Sequence, residues 1–584
     1  MAEATETHCK ARELPGHDIF CTPENSDFLS KVPYRELDAT KREIRLLKIL
    51  PDSGSGFVEC ELLPSVRLAD VRKQYLALSY CAGDARNTKT IIVNGARCNV
   101  FANLHHALRA VRRYWKKHAD QQDFLLWVDQ LCINQANLTE RSHQVGFMRE
   151  IYQNAKRTLI CLSTRDTKGL GMKWLIELQP NWKNYIESVP QLHDNSFNNL
   201  RELLWENLGR KEFTDGWIAF YDICESPWWR RAWVAQEYMV SNQTTFVFGP
   251  RSISDLSLKD LMEGLFMSGL GPASLTDERH FLRHVDYDID SSRRQQFYRV
   301  VNHVKKLQPD KTERTVKAMF SIRYIPRDNS DLKRLLMDSR YREASDERDR
   351  IYSVIGLADP GYGIVPNYSP ENHWNNVLVE TTRKIITFEN NLDVLSCARN
   401  CGFHTPRSRA LPSWVINWNR TNYDLEEPSS IGYTPGAPRY GIIYKERADA
   451  SFKNVPNPRG SQATTITAME VWGVFVDTIL SPAIPQDSSD PFSSYDYYNS
   501  AKGYKVGVRS HTRLKHNHEL WILCGSCEPL LLEPKSDGYC LVDVVYCPEL
   551  QGAMPTVPDS LKGFLNKRGF IDTVKMGRRR ITIL

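Results

Sequence analysis

The sequence predicts a chain that opens on an α/β domain, a parallel sheet with helices on both faces, continues through a mainly helical region and closes on a small antiparallel β domain. Three observations carry this. Between Tyr75 and Gly249, short apolar runs rich in β-formers alternate with stretches whose apolar residues recur every three or four positions, the pattern of βαβ units. From 251 to 430 helical periodicity dominates. From 465 to 550 apolar and polar residues alternate between turns, as in AMEVWGVFV, ELWILCG and YCLVDVVY, which suits strands with one buried face.

Residues 1–42 are polar and punctuated by Pro15, Pro23 and Pro33, and read as a loosely ordered leader. The α/β domain is expected over 43–250. EIRLLKIL and FVECELL flank the turn PDSGSG as a hairpin, and YLALSY is a third strand. Asn94-Gly95 in IIVNGARCNV is the turn chemistry of a tight hairpin. Asn103 is placed to cap a helix that buries Leu104, Ala107, Leu108 and Val111 and turns Arg109, Arg112 and Arg113 to solvent. FLLWVD is a buried strand. Thr139 then caps a second helix, with Glu140 in its first turn and Val145, Met148, Ile151, Tyr152 and Ala155 on one face, and RTLICLS follows as a strand. The pattern weakens into a polar, Trp-bearing insertion over about 164–225. Ser226-Pro227 starts a third helix, a hydroxyl cap before the one residue that loses nothing at the first helical position, and WWRRAWVAQEYMVSN runs on into the strand TTFVFG. A Pro-, Gly- and Ser-rich linker around 427–438 leads into the β domain at 431–584, whose end KMGRRR (Lys575–Arg580) reads as a solvated basic tail, with an acidic surface as the alternative partner.

At 584 residues the chain exceeds what one core can hold. With 41% hydrophobic and 25% charged residues, wholesale disorder is excluded. No apolar run is long enough to span a bilayer, and the N-terminus lacks the basic start and apolar core of a secretory signal, so a cytoplasmic location without a membrane partner is expected. The 14 cysteines are dispersed, several within strands, and are expected to be buried, reduced thiols. A net charge of +6 is too mild to call for nucleic acid. The signatures of Rossmann, P-loop, zincin and α/β-hydrolase enzymes are absent from the sequence. Cys524 and Cys527 form one C-x-x-C near His511, His516 and His518 without a second pair, so a hairpin turn is expected there in place of a metal site.

In βαβ units the ligand crevice lies outside the carboxyl ends of the strands. There FLLWVD runs into Asp129, Asn134 and Gln135, side chains that demand hydrogen-bonding partners. YLALSY ends in Tyr80, Gly83 and Asp84, where backbone amides can meet a phosphate, and Arg141 opens the next helix in a place suited to an anion. Trp233 and Glu237, four apart, share a helix face, with Arg230 one turn earlier. Each also has a structural reading. The Asp–Asn–Gln cluster can cap a helix and tie loops, the Tyr80–Asp84 loop can be a turn, Arg141 can be solvated, and Glu237 can pair with Arg230 or Arg141.

Four blocks, ALSYCAGD at 77–84, LWVDQLCINQ at 126–135, ERSHQVGFMREIYQNA at 140–155 and RRAWVAQE at 230–237, resemble the heterokaryon incompatibility (HET) domain family of filamentous fungi over roughly 43–250. SDERDRIYSVIGL, LPSWVINW, ELWILCGSCEPLLLEP and GYCLVDVVY look family-like as well. Two positions depart: Ala82 stands where the first block usually carries Trp, and Pro555 follows Met554 where the family usually carries Gly-Glu. HET domains in turn resemble TIR domains of innate immunity, so the resemblance implies a TIR-like, flavodoxin-like fold that self-associates in response to an unknown protein trigger, and non-self recognition ending in growth arrest or programmed cell death. TIR domains that cleave NAD+ carry a glutamate in a W-x-x-x-E helix before a strand, which Trp233 to Glu237 matches. The resemblance therefore implies Glu237 as catalytic residue, NAD+ as substrate and no permanently bound cofactor, with Asp129, Asn134 and Gln135 on the ribose or nicotinamide. Three outputs stay open: NAD+ cleavage, non-enzymatic assembly, and a regulatory role on nucleic acid through the basic tail.

Overall fold

In a computed structural model, residues 25–84, 86–118, 124–162, 168–186, 198–276, 281–282, 291–323, 331–339, 342–397, 411–418, 447–457, 465–480, 495–509, 514–551, 559–566 and 570–584 are described. Most of the expected leader, the linker at 427–438, His511 and the Met554-Pro555 pair lie outside them. The chain forms two compact units. The first is Met1–Asn329, Tyr341–Leu357 and Pro366–Ser369, and the second is Ser330–Arg340, Ala358–Val365 and Pro370–Leu584. The helical middle is thus divided between them, Ser291–Val304, Pro309–Arg323 and Asp349–Ile355 in the first and Trp374–Glu389 in the second.

The first unit is built on nine strands: β1 Leu47–Ile49, β2 Glu59–Leu62, β3 Leu76–Tyr80, β4 Thr88–Val93, β5 Ala96–Phe101, β6 Phe124–Trp127, β7 Arg157–Cys161, β8 Thr244–Phe248 and β9 Arg251–Ser254. Their spatial order is β9-β8-β7-β3-β6-β1-β2-β4-β5. The expected parallel sheet is its centre: β6, β3, β7 and β8 run parallel in the order second, first, third, fourth, the doubly wound order of flavodoxin-like sheets. The whole sheet is mixed, because β1 joins β6 antiparallel and the hairpins β1–β2, β4–β5 and β8–β9 extend both sides. Every residue of β8 is buried, as a strand covered on both faces must be. At the β4–β5 turn Asn94 and Gly95 both have positive φ, 50° and 79°, the pairing a type I′ turn requires. Residues 25–42 are ordered, and one side chain there closes the free edge of β5: Asn25 Nδ2 donates to the Asn99 carbonyl at 3.0 Å and the Asn99 N–H donates to Asn25 Oδ1 at 2.8 Å.

The helices depart from expectation in instructive ways. α1, Ala102–His118, buries Leu104, Ala107, Leu108 and Val111, but Asn103 lies inside it and Arg112 turns back to Asp52 at 3.4 Å. The second helix is capped by Asn137, whose side chain accepts from the N–H groups of Thr139 and Glu140, and it breaks at Phe147 into α2 Leu138–Gly146 and α3 Met148–Asn154. The insertion is helical, with α4 Leu170–Ile186 and α5 Lys211–Cys224. Gly171 lets α4 ride on α5: a Cβ there would lie 2.5 Å from the Ala219 carbonyl oxygen. Trp174 stacks on Trp217 at 6.1 Å within an aromatic core that also takes Trp228, Trp229 and Phe246. The third helix is two pieces, a 3-10 turn Pro227–Arg230 capped by Ser226, and α6 Val234–Val240. Between them the chain extends, because Arg231 bridges to Glu343 and the Ala232 N–H donates to the Glu343 carbonyl at 2.9 Å.

The second unit corrects the expected small antiparallel β domain. Its strands are β10 Ser451–Pro456, β11 Thr465–Thr478, β12 Tyr495–Asn499, β13 Lys505–Arg509, β14 Glu519–Leu523, β15 Leu530–Lys535, β16 Gly538–Val544 and β17 Arg579–Ile583. Five of them, β11, β14, β15, β16 and β17, close on themselves as a barrel, since β17 pairs with β11 on one side and with β16, in parallel, on the other. The expected basic tail, its Lys575 and Arg578 to Arg580 exposed, runs into the closing strand. Ile581 and Ile583 are buried while Arg578 and Arg579 lie over the rings of Trp472 and Trp521. Cys524 and Cys527 flank a turn at Gly525, φ 87°. Among the described residues no helix is long and apolar enough to cross a membrane, and the 11 cysteines are unbridged.

Candidate functional site

A cleft opens in the first unit at the carboxyl ends of β3 and β6. Of its walls, β3 supplies Tyr80 and the following Ala82, the turn after β6 supplies Asp129, Gln130 and Gln135, α2 supplies Arg141, and the extended break before α6 supplies Arg231 and Trp233. Asp349 and Tyr368 complete it from much later in the chain. Its cavity volume is about 40 Å³, well below the roughly 300 Å³ or more of pockets that hold drug-sized ligands.

Arg231 organises the floor. Its guanidinium donates to the Tyr80 carbonyl, stands 3.7 Å from the Asp129 carboxylate and lies close enough to Glu237 to act on it electrostatically. Glu237 is 2% exposed and does not itself line the cleft. It accepts from the Ser79 hydroxyl, which in turn accepts from the Trp228 indole N–H at 2.8 Å. Burial pushes the Glu237 carboxyl up to about 7, with Asp129 adding to the push and Arg231 and Ser79 pulling against it. The side walls carry a second acid. Asp349, 2% exposed, accepts from the Tyr368 hydroxyl, and burial raises its carboxyl against the pull of Arg141, Tyr368 and the Trp233 indole. Arg141 lies over the Tyr368 ring at 4.3 Å.

Of the residues the sequence singled out, the structure brings Tyr80, Asp129, Gln135, Arg141 and Trp233 to one cleft and sets Glu237 just behind it. Gln135 acts on the loop, its Nε2 donating to the Asp129 carbonyl at 2.9 Å. Asn134 does not line the cleft; its backbone N–H donates to Glu140 Oε1 at 2.7 Å, and Glu140 is in turn held by Arg45 in a buried pair. Gly83 and Asp84 form a turn apart from the cleft. Gly83 has φ 83°, and the exposed Asp84 accepts from the Arg86 N–H at 2.9 Å. The arginine facing Glu237 is neither Arg230, which pairs with Glu225 at 3.3 Å, nor Arg141, but Arg231. Sequence reasoning missed Arg231, Gln130, Asp349 and Tyr368. The signals were present for three of them, since Gln130 and Arg231 sit inside the singled-out blocks and Asp349 inside SDERDRIYSVIGL.

Fold and cleft together define an α/β domain whose site lies at the carboxyl ends of parallel strands and carries two buried acids, Glu237 near Arg231 and Asp349 near Arg141. Residues 75–237 match the family model described as Heterokaryon incompatibility protein (HET), so this stretch of the chain is a HET domain. Among curated proteins the chain is similar to "Heterokaryon incompatibility protein 6, OR allele" of Neurospora crassa, 25% identical over 389 residues, 59% of this chain. The match spans 53% of that protein's own length. No solved structure matches the chain significantly.

Proposed function

We propose that this chain is a cytoplasmic fungal protein of non-self recognition whose HET domain, TIR-like in its use of a W-x-x-x-E acid, triggers growth arrest or cell death by cleaving NAD+ after self-association. The observation that carries the reading is a buried carboxylate, Glu237, poised near neutrality behind a cleft that Arg231, Asp129 and Trp233 line. Breaking the ribosyl–nicotinamide bond builds positive charge on the ribose, which a desolvated carboxylate stabilises. Nicotinamide leaves with the bonding pair and needs no proton. Water adds to the ribose and its proton is released to solvent. At about 40 Å³ the cleft must widen for a dinucleotide, so substrate entry and activation are one event in this reading.

The test is nicotinamide release from NAD+ by concentrated protein. Glu237→Gln should abolish it while the variant stays folded, and Asp129→Asn should reduce it. Only the ionised acid stabilises the cation, so release should rise with pH through about 7. Wild type that leaves NAD+ intact under assembling conditions defeats the enzymatic reading. The cavity volume of about 40 Å³ favours a second one, an assembly module acting through protein contacts alone. An oligomer that forms equally with Glu237→Gln would speak for it.

A further inference from the structure

We infer that the cleft receives a neutral primary carboxamide and that Gln130 is the residue that reads it. Gln130 is 4% exposed and lines the cleft. The Tyr80 hydroxyl donates to its Oε1 at 3.1 Å, which fixes the amide, and the other end, Nε2, has no hydrogen-bond partner among the described residues. A buried donor without an acceptor is rare in a folded protein, because the water it gave up is not replaced. The residue that carries it lines the cleft of the acid–arginine cluster, with Nε2 itself closed off from solvent.

The surroundings specify what would satisfy it. Arg231 is a second donor on the same wall, and Asp129, a quarter exposed, is an acceptor. A group that offers a carbonyl oxygen and an NH2 in one plane meets both kinds of partner at once. A carboxylate of the same shape does not. It brings a negative charge beside Asp129, Glu237 and Asp349, which Arg231 and Arg141 already serve, and it has no N–H for Asp129. The amide reaches Gln130 Nε2 as the cleft, about 40 Å³, widens. The inference names the substrate group for the site proposed above, and it rests on that reading only in supposing that the amide belongs to NAD+.

The experiment titrates nicotinamide and nicotinate into the full chain, wild type and Gln130→Leu, with binding read by calorimetry or ligand-detected NMR. Nicotinamide should bind wild type roughly tenfold or more tighter than nicotinate does, and lose a similar factor in Gln130→Leu. If that variant does not fold, Gln130→Glu, which keeps an acceptor for Tyr80 and replaces Nε2 by an acceptor, takes its place. Equal affinities for the two ligands, undiminished binding by the variant, or no nicotinamide binding at all would overturn the inference. Intact NAD+ with amide-selective binding ends the hydrolase reading alone. Cleaved NAD+ with both ligands bound alike ends this inference alone.

Discussion

Replacing Glu237 by glutamine keeps the size of the side chain and an acceptor for Ser79 while removing a buried ionisable group, so it isolates that group's share of the pH dependence of stability. Burial lifts the carboxyl from its ordinary 4.5 to about 7 in the fold. Between those two values the native chain holds a proton that the unfolded chain has released. Stability therefore falls as pH rises from the lower value and stops falling above the upper one. At about 1.4 kcal/mol for each tenfold change in proton affinity, the full loss is about 3 kcal/mol. Urea unfolding of wild type and Glu237→Gln, each at about pH 5 and about pH 8, measures it, and subtracting one protein's pH response from the other's cancels the remaining titrating groups. Wild type should lose about 2 to 3 kcal/mol more than the variant between the two conditions. Equal responses would refute the reasoning, because the carboxyl would then titrate in the fold as it does in the unfolded chain, held ionised by Arg231 despite its burial.

Other perturbations test neighbouring parts of the site and fold. Arg231→Met removes the cation between Asp129 and Glu237 and should cost about 3–5 kcal/mol at neutral pH, with the loss shrinking in acid as Glu237 takes its proton; a pH-independent loss would mean that packing dominates. Glu140→Gln breaks the buried pair with Arg45 and weakens the anchor of the Asn134 backbone, so unfolding by urea should show a loss of several kcal/mol, and a near-neutral result would place that pair in water. Gly171→Ala drives a methyl group against the backbone of Ala219 and should lower the melting temperature by several degrees, whereas Gly209→Ala, with open space around it, should not; similar melting of the two would contradict the close approach of α4 and α5. Asn25→Ala strips both hydrogen bonds from the edge of β5 and should cost roughly 1–3 kcal/mol and promote concentration-dependent association, read by light scattering.

Much of the first unit was legible because its signals are local. The runs YLALSY, FLLWVD, RTLICLS and TTFVFG became the four parallel strands, since a strand covered on both faces must be apolar throughout. The polar residues just past two of those runs became the cleft, since loops at strand ends are where side chains escape the sheet. What failed depended on partners distant in sequence. The WWRRAWVAQEYMVSN helix breaks because the Glu343 backbone donates to the Arg230 carbonyl and accepts from the Ala232 N–H, and this break selects Arg231, over Arg230 and Arg141, as the cation facing Glu237. Asp349 and Tyr368 reach the cleft across more than a hundred residues, with no periodicity to announce them. The basic run at 575–580 is exposed as its charge count suggests, but that the isoleucines just after it close a barrel, against β11 and in parallel against β16, depended on distant strands.

By itself, then, the sequence determined which segments are strands and helices, where the acids and the tryptophan-bearing block lie along the chain, and the family of residues 75–237. Only the tertiary structure decided which arginine meets which carboxylate, that Glu237 lies behind the cleft and Asp129 within it, and that Gln130, with a buried and unmet amide nitrogen, lines the same space. The reason is physical. Periodicity and caps are set by neighbours three or four residues away, whereas burial, which moves a carboxyl's proton affinity and leaves a donor unpaired, is set by whatever the fold packs against it.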